Sequence, residues 1–167
     1  MSDLEKKEFL EILQLFHRVS LVTESFLLFA KVFLDRLADA LVWFLGEPPH
    51  RWGSSHAYLF GPRSGFLKIC TKRPVVPSTS LTEMGPRLLS RVVDARNDFI
   101  EHTGGKSLWG GPLVRQSRAF AVHDIRDAGS FMTSPVYDLD RVLLELREYT
   151  AACLAFLQAN VDTLAQV

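Results

Sequence analysis

The sequence predicts an all-α fold, a four-helix bundle with two long crossover connections. Apolar residues recur at steps of three and four along extended segments, the Pro- and Gly-rich stretches fall between those segments, and period-two alternation reaches no further than a short β-hairpin in the second connection. A chain of 167 residues, 47% hydrophobic and without low-complexity tracts, buries a core as one domain over residues 1–167. The 19 basic and 19 acidic side chains give a formal net charge of zero, which with that apolar fraction excludes a disordered polyelectrolyte.

The first helix opens at Ser2, which with Glu5 forms a capping box, and continues through Phe9, Ile12, Leu13, Phe16 and Val19 on one face. An unbroken helix from Asp3 to Leu45 would be about 64 Å long, so a break is expected near Ser20–Ser25. In the second helix, about Glu24 to Leu45, the polar residues Glu24, Lys31, Asp35 and Asp39 share one side. Phe26, Phe29, Phe33, Leu37, Leu41 and Phe44 take the other, and so narrow a polar stripe predicts a central helix. Lys31, Asp35, Arg36 and Asp39 make the run Phe26–Leu45 too costly for a membrane span. Gly46-Glu47-Pro48-Pro49 ends it, because Gly accepts a left-handed cap and Pro cannot continue the ladder.

Residues 46–79 form the first crossover. Gly85-Pro86 opens the third helix, Pro being favoured at the first helical position, and Thr103-Gly104-Gly105 stops it. The second crossover, 104–137, offers Ala119–His123 as a strand. The last helix starts near Asp138 or Asp140 and carries Val142, Leu146, Tyr149, Cys153, Phe156 and Leu164 on its core face.

Most familiar chemistries find no support. Gly104-Gly105-Lys106-Ser107 lacks the first Gly of a phosphate-binding loop, position 100 being Ile, and follows a helix instead of a strand. His17, His50, His56 and His123 match no metal-ligand spacing, and no nucleophile elbow exists, so neither a metal nor a cofactor is expected. Cys70 and Cys153, far apart and without a Cys-x-x-Cys, read as free thiols in a reducing cytoplasm, with Cys153 buried and Cys70 the more reactive. The N-terminus carries both signs of charge and no apolar core of a secretory signal.

Charge is uneven along the chain. Residues 51–137 carry 12 basic and 6 acidic side chains, whereas 1–50 carry 5 and 8 and 138–167 carry 2 and 5. A basic centre suits an anionic partner, and scattered solvated charge produces the same imbalance. The third helix holds the sharper signal. With Leu81 at zero and about 100° per residue, Arg96 falls at about 60°, inside the arc of Leu88, Leu89, Val92, Val93, Ala95, Phe99 and Ile100. A guanidinium there needs a carboxylate such as Asp35 or Asp39, a route to the bundle rim, or a cleft. His102 ends the helix, where the macrodipole favours its protonated form. Along one regular helix the two side chains diverge by about 120°, so a shared site requires two copies about a two-fold axis. The expected homodimer interface includes the C-terminal half of this helix.

Arg96-Asn97-Asp98-Phe99-Ile100-Glu101-His102 resembles the Arg-polar-His signature of HEPN domains, the helical higher-eukaryote and prokaryote nucleotide-binding superfamily. Phe29–Leu37 is similar to the preceding long helix of some members, so that the resemblance spans roughly residues 24–103. It implies metal-independent RNA cleavage by a dimer leaving 2′,3′-cyclic phosphate ends. Arg96 would bind the phosphate, Asn97 orient it and His102 act as acid and base, with Lys106, Arg115 and Arg118 on the RNA backbone. Toxin–antitoxin or defence roles, with a protein antitoxin or neighbouring-system partner, come with that family. Asp98 and Glu101 oppose RNA, and many members are not catalytic, which leaves a partner- or nucleotide-binding module as the alternative.

Overall fold

A computed structural model of the chain describes residues 3–46, 55–63, 65–73, 75–96, 106–110, 119–124 and 136–164. The described residues are predominantly α-helical, and the all-α class with two long connections holds. In chain order the elements are α1 (Asp3–Phe44), α2 (His56–Phe60), α3 (Gly65–Cys70), α4 (Thr79–Leu88), a π-helical turn (Leu89–Asp94), strands β1 (Lys106–Gly110), β2 (Ala119–Asp124) and β3 (Val136–Asp138), and α5 (Leu139–Leu164). The chain divides into two compact units, Met1–Leu28 with Ala95–Asp140, and Phe29–Asp94 with Arg141–Val167.

The break expected at Ser20–Ser25 is absent, and α1 runs unbroken for 42 residues. No Gly or Pro lies within it, and a Ser or Thr in a helix interior costs only several tenths of a kcal/mol, too little to stop propagation. The length objection fails as well, because the helix contributes residues to both units and need not fit within one. At its end Gly46 takes φ 71°, its N–H donates to the Trp43 carbonyl at 3.0 Å, and Arg73 Nη2 donates to the Gly46 carbonyl at 3.0 Å. Glycine meets the left-handed requirement there without a Cβ penalty.

The face that α1 buries differs from the one expected. Leu27, Ala30, Leu34, Ala38, Leu41 and Leu45 are buried, whereas Phe29 and Phe33 are exposed, Phe29 at 72%. A helix apolar on nearly every side does not reveal through periodicity which apolar arc meets the core. Asp35 helps fix the choice made in this molecule. Its Oδ2 accepts from Lys31 Nζ at 2.8 Å, and its Oδ1 accepts from the His56 backbone N–H at 3.0 Å, tying the start of α2 to α1.

Helix α2 is capped by Ser55, whose Oγ accepts from the Tyr58 N–H at 3.1 Å. The third predicted helix begins earlier than Gly85-Pro86, at Thr79, where Ser78 Oγ accepts from the Leu81 N–H at 3.4 Å. A side-chain cap at Ser78 outcompetes the weaker start signal of Pro86, which lies inside α4. The end expected at Thr103–Gly105 lies outside the described residues. In the second unit the core joins α1 to Leu59, Phe66, Leu81, Leu88 and Val92, and to α5 through Val142, Leu146, Tyr149, Cys153 and Phe156. The aromatic rings form a chain, Phe60 to Phe66 at 5.3 Å between centroids, Phe66 to Phe156 at 5.4 Å, and Tyr149 edge-on to His56 at 5.4 Å. Offset and edge-on contacts of this kind add to the area that each ring buries.

The second connection carries an antiparallel sheet in the order β1-β2-β3. Lys106 pairs with Asp124 and Gly110 with Phe120, while Ala119 pairs with Asp138. The strand expected at Ala119–His123 is β2, and β3 extends the hairpin by a third strand.

Candidate functional site

Arg96 ends the described part of the third helical segment, directly after the π turn and Ala95. A π turn bonds i to i+5 and so delays the helical phase by about one residue. The regular 100° projection therefore stops applying at Leu89. Val92, Val93 and Ala95 are buried as expected, while Leu89 and Arg96 are half-buried. Of the other two proposed catalytic residues, Asn97 and His102 lie outside the described residues, as do Arg115 and Arg118. Lys106 is the first residue of β1, opposite Asp124. In the first connection Arg63, Lys68 and Lys72 are exposed, whereas Arg73 donates to the carbonyl that ends α1.

The π turn is anchored from its own side by a charge cluster that the sequence reading missed. Glu145 of α5 is 5% exposed, and its Oε1 lies 3.4 Å from Arg91 Nη1 on the π turn and 3.4 Å from Arg141 Nε. A carboxylate buried this far requires compensating charge, and two guanidiniums on one oxygen provide it. The signal was available: Glu145 falls between Val142 and Tyr149 on the core face of α5, where an acidic residue demands a cation. Arg91 ties the π turn to α5 through this pair.

His56 is a second buried titratable group. Its ring is fully enclosed, Nε2 lies 2.8 Å from the Gly85 carbonyl and therefore donates to it, and buried Nδ1 has no hydrogen-bond partner among the described residues. Desolvation by burial lowers its pKa below the ordinary 6.5, against the smaller raising effects of the Gly85 bond and of Asp35. The folded chain thus holds His56 neutral while the unfolded chain protonates it. The contribution to stability is complete above about 6.5 and is lost as the pH falls from there through the depressed folded value. Urea midpoints measured between pH 8 and pH 5 should fall with acidification, and His56→Phe should flatten that part of the profile; an unchanged slope would remove His56 as its cause.

Both cysteines are free and buried, Cys70 at 2% and Cys153 at 1% exposure. This corrects the expectation that Cys70 is the more accessible. A single turn of helix suffices to bury it, since Phe66, Ile69 and Cys70 of α3 face inward together. Burial raises both thiols to about 11. Both should react with a thiol reagent at pH 7.5 slowly and with comparable rates in the native state, and rapid labelling of Cys70 alone would show the opposite.

A shallow apolar depression of about 40 Å³ between Leu59, Phe60, Phe66, Leu67, Thr82 and Pro86 offers one polar side chain, and the Thr82 hydroxyl already donates to the Thr79 carbonyl at 2.9 Å. It supplies neither acid nor base. Among the described residues no group of three or more His, Cys, Asp or Glu side chains is arranged to hold a metal ion, and no helix is long and apolar enough to cross a membrane. No protein-family model, curated protein or solved structure matches the chain.

Proposed function

We propose that the chain is a metal-independent endoribonuclease of HEPN type that acts in the cytoplasm as a homodimer, with Arg96, Asn97 and His102 of two copies around one cleft. The observation that carries this reading is the passage of the helix through the π turn Leu89–Asp94 into half-buried Arg96. Departures from α geometry of this sort concentrate at functional sites. The predominantly helical fold also supports it.

In the proposed reaction one His102 takes the proton of a ribose 2′-hydroxyl, whose oxygen bonds to the adjacent phosphorus. The bond from phosphorus to the 5′-oxygen breaks, and the other His102 returns a proton to that oxygen. Arg96 stabilises the negative charge of the phosphorane on its non-bridging oxygens, and Asn97 orients the phosphate. Exposed Lys68, Lys72 and Arg63, and separately Lys106, Arg115 and Arg118, suit contacts to backbone phosphates, and a protein antitoxin is a compatible partner. The test is incubation of the folded chain with single-stranded and transfer RNAs in EDTA. The proposal expects fragments ending in 2′,3′-cyclic phosphate. Intact RNA throughout the panel would instead favour a non-catalytic partner- or nucleotide-binding module.

A further inference from the structure

We infer that one face of the sheet β1-β2-β3 is a stacking surface for single-stranded RNA, with an unpaired base on Trp109 and its phosphate at His123 and Ser107. Taking RNA as the partner rests on the ribonuclease proposal, and its single-stranded form follows from the register of the strands. Register divides the sheet into two unlike faces, because directly paired residues share a face and successive residues alternate. One face carries Leu108 paired with Val122, and Gly110, Phe120 and Tyr137 in one row, with the opposite charges of Lys106 and Asp124 paired at its end. The other carries Ser107 paired with His123, Trp109 in one row with Ala121 and Val136, and Ala119 paired with Asp138.

The two faces suit different tasks, as in antiparallel sheets that pack one face and leave the other open. Leu108, Phe120, Val122 and Tyr137 give the first the composition of a packed face. On the second, Trp109 is paired with a small residue, and the rows to either side hold Ser107 with His123 and Ala119 with Asp138. His123 is the diagonal neighbour of Trp109 across the two strands, a spacing of about 7 Å, and Ser107 lies two residues before it on the same face. An indole stacks on any nucleobase, and an imidazole and a hydroxyl beside it are hydrogen-bond donors for the phosphate of the same nucleotide. Duplex RNA keeps its bases stacked inside, whereas a single strand offers them. Charge agrees with a polyanion, since over residues 104–137 Lys106, Arg115, Arg118 and Arg126 outnumber Asp124 and Asp127. Covalent reach ties the surface to the proposed acid and base. Five residue steps lead from His102 to Ser107 and span at most about 18 Å when fully extended, which keeps a base stacked on this face near the proposed cleavage site.

Binding of a short 2′-O-methyl RNA tests the surface, because this probe lacks the free 2′-hydroxyl and cannot be cleaved. With Trp43→Phe and Trp52→Phe, Trp109 is the sole tryptophan, and its fluorescence should be strongly quenched by the single strand and little changed by the same sequence as a duplex. Trp109→Ala should weaken single-strand binding about 10-fold or more at unchanged helical circular dichroism, Trp109→Phe should restore most of it, and His123→Ala should cause a smaller loss. Binding that leaves Trp109 unquenched, equal affinity for duplex and single strand, undiminished binding by Trp109→Ala, or no RNA binding at all overturns the inference. Cleavage of unmodified RNA is scored separately. Binding with quenching but without cleavage rejects the ribonuclease proposal and leaves the stacking surface, whereas cleavage by a Trp109→Ala protein that binds as tightly as wild type rejects the surface and leaves the ribonuclease.

Discussion

Gly85→Ala should lower the stability of the chain by about 2–3 kcal/mol, although alanine is the better helix former by about 1 kcal/mol. The reason is the close approach of α2 to α4. A Cβ at position 85 would overlap the ring of Phe60, which is 5% exposed and held between His56 and Phe66. The ring cannot yield without disturbing its aromatic neighbours, and displacement of α4 would stretch the bond from His56 Nε2 to the Gly85 carbonyl. In a domain of this size such a loss corresponds to a fall in melting temperature of roughly 5–10 °C. The cost should shrink in a Phe60→Leu background, since the overlap disappears with the ring edge, and a double-mutant cycle isolates that coupling. An unchanged or raised melting temperature for Gly85→Ala would mean that α2 and α4 do not approach as closely as described.

This position also shows where sequence reasoning reached its limit. Gly85-Pro86 looks like a helix start because Pro is favoured there, yet the glycine serves a contact with a residue 25 positions earlier, which no local pattern encodes. The last helix was legible because its core residues recur at steps of three and four, although Leu143, Leu144 and Leu154 lie exposed on its other sides. Val142, Leu146, Tyr149, Cys153 and Phe156 are all buried. In α1 apolar residues surround the axis, so the pattern established a helix but not its inward side, and the exposed Phe29 and Phe33 were assigned to the core. Strand β2 was visible in Ala119–His123, whereas the pairing with Val136–Asp138 depends on a distant segment.

The candidate site was legible in part. Arg96 stood out by its place among apolar neighbours, and it is half-buried. The π turn before it leaves no mark in composition, because Leu89-Ser90-Arg91-Val92-Val93-Asp94 continues an ordinary amphipathic pattern. Its anchor, Glu145 with Arg91, was readable only as a carboxylate misplaced on a core face.

The largest functional effect is expected at His102, because loss of a general acid and base costs about 10²–10⁴ in rate, and in the proposed dimer the substitution removes both. Removal of Arg96 would be harder to interpret, since replacing a half-buried charged residue also alters stability. At the last turn of its expected helix His102 should tolerate alanine with at most about 1 kcal/mol lost, mainly its interaction with the macrodipole. The decisive measurement is the single-turnover cleavage rate of a cleavable RNA in EDTA, compared between wild type and His102→Ala at matched melting temperature and oligomeric state. The account predicts cleavage by wild type and a rate at least 100-fold lower for the variant, with Asn97→Ala between them. Cleavage undiminished in His102→Ala would contradict it.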